Sequence, residues 1–247
     1  MSLESLTKNG SKGPIQMRSI TDSNSFITPQ NMHVRIHSKL LDKAIGFKIQ
    51  NIEKKLLKKY RPYYKVDDDS SRKRHYQGTQ TWIGLHPQAL QTPYNDILDA
   101  LSVFHKVLPE KVIDFGAGYG RVGIVMKSLY PDAEFIGYEI LEERMAEGNR
   151  IFEKLNLENC IIKDQNILDD NFKIPEADIY FIYDFSEVDD LNKILLRLRA
   201  VSEKKDFYLI AKGERVHYLI NKKFKDFRSV NFANDDEFWS IFTTKKN

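Results

Sequence analysis

The segment 112–122 inserts a glycine-rich turn between an apolar strand and a helix. It reads V-I-D-F-G-A-G-Y-G-R-V, with Asp114 closing the apolar run and Gly116, Gly118 and Gly120 at alternate positions after it. Glycines let the backbone turn tightly and come close to a bulky ligand, where a Cβ atom would intrude. This order of strand, glycine turn and helix is typical of a parallel α/β sheet that binds a ligand at its edge.

A second acidic residue, Glu139, ends the next apolar strand, 134–139. It follows Gly116 by 23 residues, near the offset of ~20 at which a carboxylate reaches a ribose hydroxyl in nucleotide-type α/β sites. An acid at the end of each strand, with the glycines between them, predicts an adenosine-containing ligand. The dinucleotide fingerprint G-x-G-x-x-G does not fit, because its third glycine would fall on Arg121.

The pattern D-x-G-x-G-x-G resembles motif I of the class I, seven-strand S-adenosylmethionine-dependent methyltransferases. The resemblance implies an enzyme with S-adenosyl-L-methionine as cofactor, and a glycine loop that runs under the methionine and ribose portion. It also implies that the acid at the end of the second strand pairs with the ribose hydroxyls. The cofactor-binding roles then pass to Asp114, Gly116, Gly118, Gly120 and Glu139.

Apolar strands alternate with helical patterns after the glycine turn. Further strands are predicted at 159–163, 177–183 and 207–211, and helices at 121–129, 142–155 and 191–201. Apolar runs without polar alternation indicate a parallel sheet covered on both faces. The last two strands, 228–232 and 238–243, flank a polar turn and predict an antiparallel hairpin. We expect an α/β, doubly wound, mostly parallel seven-stranded sheet with an antiparallel C-terminal hairpin.

The N-terminal third is predicted to be a separate unit. Residues 1–32 are polar and lack a sustained period, which predicts a flexible segment. An apolar stripe then predicts one helix from His33 to about Tyr60, ended by Arg61-Pro62; it consists of Leu41, Ile45, Ile49, Ile52 and Leu56. With the charged linker that follows, the basic helical extension spans 33–78, and the methyltransferase domain spans 79–247.

Charge is divided unevenly between these units. Residues 1–75 hold 16 Lys and Arg against 7 Asp and Glu, whereas the rest of the chain holds 22 against 28. Such asymmetry indicates contact with nucleic acid, acidic protein or anionic lipid, or simply a solvated helix face. For the predicted helix itself, we favour docking on the catalytic domain over binding to a membrane or nucleic acid.

Three further positions are expected to bind the donor. Thr92 and Pro93 are a good N-cap and first turn for a helix that runs to about Phe104. In the resembling family the loop before this helix folds over the donor, which implies that Thr92 and Tyr94 line the site. For Tyr94 the alternative is core packing. Asn166, after the third strand, matches the position that contacts the adenine amino group, with Asp164 as the alternative.

The fourth strand ends in Tyr183-Asp184-Phe185, where the family places the methyl acceptor. This segment resembles the N-F element of lysine methyltransferases of the telomeric-silencing-disruptor type, with Asp184 in place of Asn. Asp184 and Phe185 are therefore the candidate catalytic residues. A carboxylate there can orient an amine and help to take its proton. The alternative is that Asp184 caps the helix that follows.

These residues predict methyl transfer to a macromolecular acceptor, first a protein lysine amine and second RNA, which the basic N-terminal region would contact. A non-catalytic binding protein with the same fold is the third hypothesis. No membrane span is expected, because no run approaches ~20 apolar residues. No metal is expected either, since His86 has no second ligand at suitable spacing. A single cysteine and no apolar leader favour a cytoplasmic protein.

Overall fold

The computed structural model describes residues 22–65, 81–230 and 239–245. Seven β-strands are found in this part of the chain: β1 Lys111–Phe115, β2 Glu134–Glu139, β3 Cys160–Asp164, β4 Ile179–Tyr183, β5 Tyr208–Lys212, β6 Arg228–Val230 and β7 Trp239–Thr243. The α-helices are α1 Val34–Ile45, α2 Ile49–Lys65, α3 Pro87–Leu90, α4 Tyr94–Ser102, α5 Arg121–Leu129, α6 Glu142–Lys154, α7 Val188–Ser202 and α8 Glu214–Lys223.

The seven strands form one sheet in the order β3-β2-β1-β4-β5-β7-β6. Strands β1 to β5 pair in parallel, and β7 lies antiparallel between β5 and β6. The predicted doubly wound sheet and its antiparallel C-terminal hairpin are confirmed. The strand order reverses at β1, between β2 and β4, so the carboxyl ends of these strands flank a crevice where open α/β sheets bind ligands.

Both faces of the sheet are covered, as the apolar strands predict. One face packs on α4, α5 and α6 through a core that includes Ile97, Leu101, Ile124 and Phe152. The other face packs on α7 and α8 through a second core that includes Leu191, Leu195 and Leu219. Because both sides of β1 and β4 are buried, their inner side chains are apolar rather than alternating, with the buried Asp114 of β1 as the exception.

The predicted single helix over 33–60 is instead two helices. α1 ends at Gly46, which has φ 94°, and the Gly46 N–H donates to the Asp42 carbonyl. A glycine in this left-handed conformation is a common helix stop, and the apolar spacing continues past it because both helices face the domain. α2 also continues through Pro62 to Lys65. A proline is unfavourable inside a helix because it lacks the N–H of one hydrogen bond, and here α2 ends three residues after it.

The helical extension is held on the catalytic domain by two buried ion pairs. The Arg121 guanidinium contacts the Asp42 carboxylate, and Arg144 Nε lies 2.8 Å from Glu53 Oε1. All four side chains are less than 10% exposed. Each acid therefore meets its partner out of water, where loss of one member leaves an uncompensated charge.

Part of the predicted flexible segment also contacts the domain. Residues Ser23–Phe26 form a 3-10 helix, and the Phe26 ring is fully buried with its centroid 5.2 Å from that of Tyr94. The prediction for residues 1–21 and that for the charged linker from 66 to 80 lie outside the described residues, as does the turn of the C-terminal hairpin.

Candidate active site

A cleft of about 460 Å³ opens at the carboxyl edge of the sheet. That volume is within the range of sites for small ligands and cofactors. Its wall contains six of the predicted site residues: Gly116, Gly118, Glu139, Asn166, Asp184 and Phe185. The ends of β1, β2, β3 and β4 thus meet at one place, as expected for parallel strands whose order reverses at β1.

The glycine loop forms the floor of the cleft, and its glycines serve different purposes. Gly116 and Gly118 have φ of 77° and 55°, values that side chains rarely allow. A Cβ atom on Gly118 would meet no atom within 4 Å, so this backbone faces open space. A Cβ atom on Gly116 would lie 2.9 Å from the Phe185 Cβ, so Gly116 allows the end of β4 to approach the loop.

Gly120, predicted to bind the cofactor, is outside the cleft wall. It forms the N-cap of α5 in the left-handed conformation. A Cβ atom there would lie 2.5 Å from the Phe152 ring and 2.8 Å from Ile162. The residue must be glycine because of core packing and backbone conformation, and the alternating pattern cannot distinguish that reason from ligand approach.

Glu139 holds the glycine loop in place. Its Oε2 accepts a hydrogen bond from the Gly118 N–H at 3.0 Å, and its Oε1 accepts bonds from the Ile140 and Leu141 N–H groups, each at 2.9 Å. The side chain is 7% exposed and still borders the cleft. Hydrogen bonds to a carboxylate are short and strong, so this acid fixes the loop and presents negative charge at the β2 end of the cleft.

Asp114 lies beneath the loop rather than in the wall of the cleft. It is 4% exposed, and burial together with the charge of Glu139 raises the pKa of the Asp114 carboxyl well above its usual value. The acid predicted to bind the cofactor at the end of β1 is therefore buried and lies outside the residues that line the cleft.

We expect Asp114→Asn to stabilise the protein at neutral and alkaline pH. The raised pKa of Asp114 means that the folded state keeps a proton that the unfolded chain has already released, so stability falls as pH rises between the unfolded and folded pKa values. The amide removes that penalty, and the free energy of unfolding in urea should rise by about 0.5–2 kcal/mol at about pH 8. The gain should shrink toward about pH 4, near the unfolded pKa.

Asp178→Asn is the control, because the pKa of Asp178 is shifted in the opposite direction. Although burial opposes it, the Lys205 ion pair and two backbone N–H groups lower the pKa of Asp178. Its contribution to stability is present above the unfolded pKa and is lost as pH falls through the folded pKa. The control should therefore be less stable than the parent at about pH 8. Identical pH profiles for the parent and Asp114→Asn would contradict the assignment of the buried charge.

The third strand contributes two amides to the cleft. Asn166 Oδ1 accepts a hydrogen bond from the Leu168 N–H at 3.0 Å, and Gln165 Nε2 donates to the Asn166 carbonyl at 2.9 Å. Both residues border the cleft, whereas Asp164, the alternative to Asn166, does not. Since the Asn166 side chain closes its own turn, its oxygen is fixed and already has one donor.

Asp184 lies at the end of β4 with both carboxylate oxygens bonded to the start of α8. Its Oδ2 accepts from the Arg215 N–H and its Oδ1 from the Val216 N–H, each at 2.9 Å. Burial raises the pKa of Asp184, although these two bonds oppose the shift. Gly213, with φ 113°, leaves room for the carboxylate, which a Cβ atom would overlap. Each oxygen keeps a lone pair for a further donor.

The alternative prediction, that Asp184 caps the helix next in sequence, names the wrong helix. The helix that follows in sequence, α7, begins at Val188 after Glu187. Asp184 instead caps α8, about 30 residues further along the chain. The β5 end lies beside the β4 end in a parallel sheet, which brings α8 to Asp184.

Thr92 and Tyr94 were predicted to line the donor site, and the structure puts neither in the cleft wall. Tyr94 is fully buried, with its hydroxyl donating to Asp42 Oδ1 at 3.0 Å. The carbonyl of Thr92 accepts from Arg121 Nη1 at 3.0 Å. Thr92 is also not the N-cap of α4, because the Tyr94 N–H donates instead to Ser38 Oγ of the extension. Both residues belong to the contact with the extension.

Several residues of the cleft were not predicted from the sequence. Trp82 donates from Nε1 to the Phe185 carbonyl at 2.8 Å, and the Arg215 guanidinium lies 5.4 Å from the centre of the Trp82 ring. Arg215 also donates to the Ser186 carbonyl at 3.1 Å. These contacts bring the segment before α3 across the β4 end. The position of Arg215 just after β5 could have indicated that it lies at the cleft, because the carboxyl ends of all the parallel strands face this edge of the sheet.

The described residues offer neither a metal cluster nor a membrane-spanning helix. Within residues 22–65, 81–230 and 239–245, no group of three or more His, Cys, Asp or Glu side chains is arranged to hold a metal ion. In those ranges we also find no helix whose length and apolar character would let it cross a membrane.

Solved structures that are similar to this chain include methyltransferases. The SAH-bound methyltransferase PaMTH1 of Podospora anserina superposes with a TM-score of 0.54 and 10% identity, over 66% of this chain and 83% of that chain. A SAM-dependent methyltransferase from Aquifex aeolicus gives 0.45 and 18%, over 63% and 94%. Human N-acetylserotonin methyltransferase in complex with SAM gives 0.47 and 17%, over 62% of this chain and about half, 52%, of its own.

No protein-family model matches the chain, and no curated protein sequence matches it. The similarity to the solved structures is therefore one of fold. The superposition on PaMTH1, together with the strand order and the antiparallel β7, shows that the chain has the seven-strand fold of class I SAM-dependent methyltransferases.

Proposed function

We propose that this protein is an S-adenosylmethionine-dependent methyltransferase. The observation that carries the proposal is the Glu139 carboxylate bonded to the Gly118 N–H at the carboxyl edge of β1 and β2. A fold shared with methyltransferases does not by itself imply the activity. The loop backbone open to the cleft, the acid beside it and the two amides after β3 are the site features that support it.

The residues present fit the donor. Gly118 offers backbone that a ligand can approach, Glu139 offers carboxylate oxygens for ribose hydroxyls, and Asn166 offers an amide near the β3 end for the adenine. When bound, S-adenosylmethionine supplies an electrophilic methyl group on its sulfonium. The protein has then to hold an acceptor in line and to exclude water, and positioning of this kind accounts for much of the rate.

A binding titration tests the donor. We expect calorimetry to show micromolar binding of S-adenosylmethionine and of its demethylated product, S-adenosylhomocysteine. A nicotinamide dinucleotide is the control, because Arg121 replaces the third glycine of its fingerprint. Tighter binding of the dinucleotide, with no binding of S-adenosylmethionine, would reject the proposed cofactor.

The proposed acceptor is a macromolecule, with a protein lysine amine first. Asp184 supports an amine because its two bonds from α8 fix the carboxylate while a lone pair on each oxygen stays available. Burial raises the pKa of Asp184, which makes its carboxylate a stronger proton acceptor than an exposed one. Phe185 and Trp82 add apolar wall to the same end of the cleft. A tritiated-methyl assay on protein and RNA fractions of a lysate tests this order of acceptors.

We expect Asp184→Ala to lower turnover by about 10²–10⁴-fold while donor affinity changes little, because the proposed contact is with the acceptor. Asp184→Asn should keep part of the activity, since an amide oxygen still orients an amine. Turnover per folded molecule and donor affinity are measured on all three proteins. Equal turnover in all three would remove Asp184 from the site.

The control for Asp184 is Asp178→Ala. Asp178 also accepts two backbone N–H groups, from Glu110 and Lys111 at 2.9 Å, but at the amino end of β1. Its loss should cost about 1 kcal/mol of stability and leave turnover per folded molecule unchanged. If Asp184→Ala behaves in the same way, its carboxylate serves only to cap α8.

A further inference from the structure

A second concave surface lies on the N-terminal extension, outside the cleft. It is a groove of about 840 Å³ between α1, α2 and the start of α3, and we name it the basic groove. Its apolar surface includes Ile36, Leu40, Leu57 and Leu85, which are 56%, 50%, 39% and 47% exposed. Four large aliphatic side chains gathered in one recess form an exposed apolar patch, which is characteristic of a surface that binds a partner.

The rim of the basic groove carries positive charge. Lys39, Lys43, Lys48 and Lys54 border it, and all four are exposed. Their side chains form no ion pair with any other residue that the structure describes.

The acids of the groove do not balance that charge. Asp42 and Glu53 also border the groove, but each is buried and paired with an arginine of the catalytic domain, Arg121 or Arg144. The uncompensated charge on the groove therefore comes from its lysines. A partner with apolar side chains on one face and carboxylates along its edges would be complementary in both respects.

We propose that the basic groove binds an acidic, amphipathic segment of a partner protein. A helix that lays an apolar stripe into a groove is a common mode of peptide recognition, and here the carboxylates of the segment would meet the lysine rim. RNA fits less well, because the exposed apolar side chains are aliphatic and the Phe47 ring, half-buried, packs on Tyr119. The cations are also lysines rather than arginines that stack on bases. A membrane surface fits less well because the apolar patch is recessed, and a flat interface would not fill it.

The groove is adjacent to the cleft. Leu85 borders both, and the short helix α3 separates them, with Pro87 and Gln88 on the groove side and Ala89 and Leu90 on the cleft side. A segment seated in the groove would therefore lie one helix away from the candidate acceptor site. The proposal concerns binding alone, so it stands or falls independently of the proposed methyl transfer.

The test is a fluorescence anisotropy titration of the full chain with designed peptides. The acidic probe peptide carries Leu at the spacing of one helix face and Glu at the other positions. A basic control peptide carries Lys in place of every Glu. A scrambled peptide has the composition of the acidic probe but no apolar stripe. Labelled single-stranded RNA and vesicles with and without anionic lipid are titrated in parallel, and light scattering reports self-association.

Two groove variants are compared with two surface controls. One is a double substitution of the rim, Lys39→Glu with Lys43→Glu. The other is Leu40→Ser in the apolar patch. The controls are Lys204→Glu with Lys225→Glu, two exposed lysines elsewhere, and Leu196→Ser, an exposed leucine of α7. Because all substituted side chains are exposed, we expect every variant to keep the parent melting curve and donor affinity.

We expect the acidic peptide to bind the parent protein, and to bind about tenfold more weakly to each groove variant at about 0.15 M salt. The two controls should match the parent, and the basic and scrambled peptides should bind weakly to all. No binding of the acidic peptide, or equal binding by groove and control variants, would overturn the proposal. So would tighter binding of RNA or anionic vesicles through the same lysines, or self-association that the groove variants abolish.

Discussion

Asp42→Ala should be among the most destabilising single substitutions in this protein, at about 3–5 kcal/mol. The Asp42 carboxylate accepts hydrogen bonds from the Arg121 guanidinium, the Tyr94 hydroxyl and the Gln88 amide. Its loss leaves the Arg121 charge buried without a counterion, because the remaining partners of Arg121 are neutral oxygens. The free energy of unfolding in urea measures the effect.

The exposed pair between Lys59 and Glu143 is the matched control. It also joins the extension to the catalytic domain, at 2.7 Å, but its side chains are 54% and 29% exposed. Lys59→Ala should cost less than about 1 kcal/mol, because water screens such a pair. A double variant, Asp42→Leu with Arg121→Met, should recover part of the loss by removing both charges. A cost for Asp42→Ala no larger than that of the control would mean that this cluster does not hold the extension.

The alternation of strands and helices could be predicted because the spacing of apolar residues differs between strands and helices. The pattern predicted a helix over 121–129, and α5 has those bounds. The break between α1 and α2 was harder to see, because Leu41, Ile45 and Ile49 keep the same apolar spacing across it. Gly46 was the local signal, since a glycine at the end of a helical run is a common stop.

Contacts between distant parts of the chain left no comparable pattern. Tyr94 was predicted at the donor site because the corresponding loop of the resembling family folds over the donor, but its hydroxyl bonds to Asp42, 52 residues earlier. The alternative role for Asp184 was to cap the helix next in sequence, whereas it caps one that the parallel sheet brings alongside. Local spacing predicts which residues end a strand. The partner that each side chain finds there depends on how the elements are arranged in space.

Glu139→Ala should weaken binding of S-adenosylmethionine by about 10- to 150-fold, the equivalent of about 1.5–3 kcal/mol for a hydrogen bond to a charged group. Two effects act in the same direction. The proposed ribose contact is lost, and the Gly118 N–H loses the acceptor that holds the loop at 3.0 Å. Calorimetric titration of the parent and variant measures the change, and S-adenosylhomocysteine should lose affinity to a similar degree because it carries the same ribose.

Two further variants separate the ribose contact from the support of the loop. Glu139→Gln keeps one side-chain oxygen for the Ile140 and Leu141 N–H groups but turns an amide toward the Gly118 N–H or the ligand. It should lose affinity while keeping more stability than Glu139→Ala. Asp178→Ala removes a carboxylate that also holds two backbone N–H groups, but at the opposite edge of the sheet, so it should lose stability without losing affinity. A donor affinity that is unchanged in both Glu139 variants, with native melting curves, would mean that another group binds the ribose.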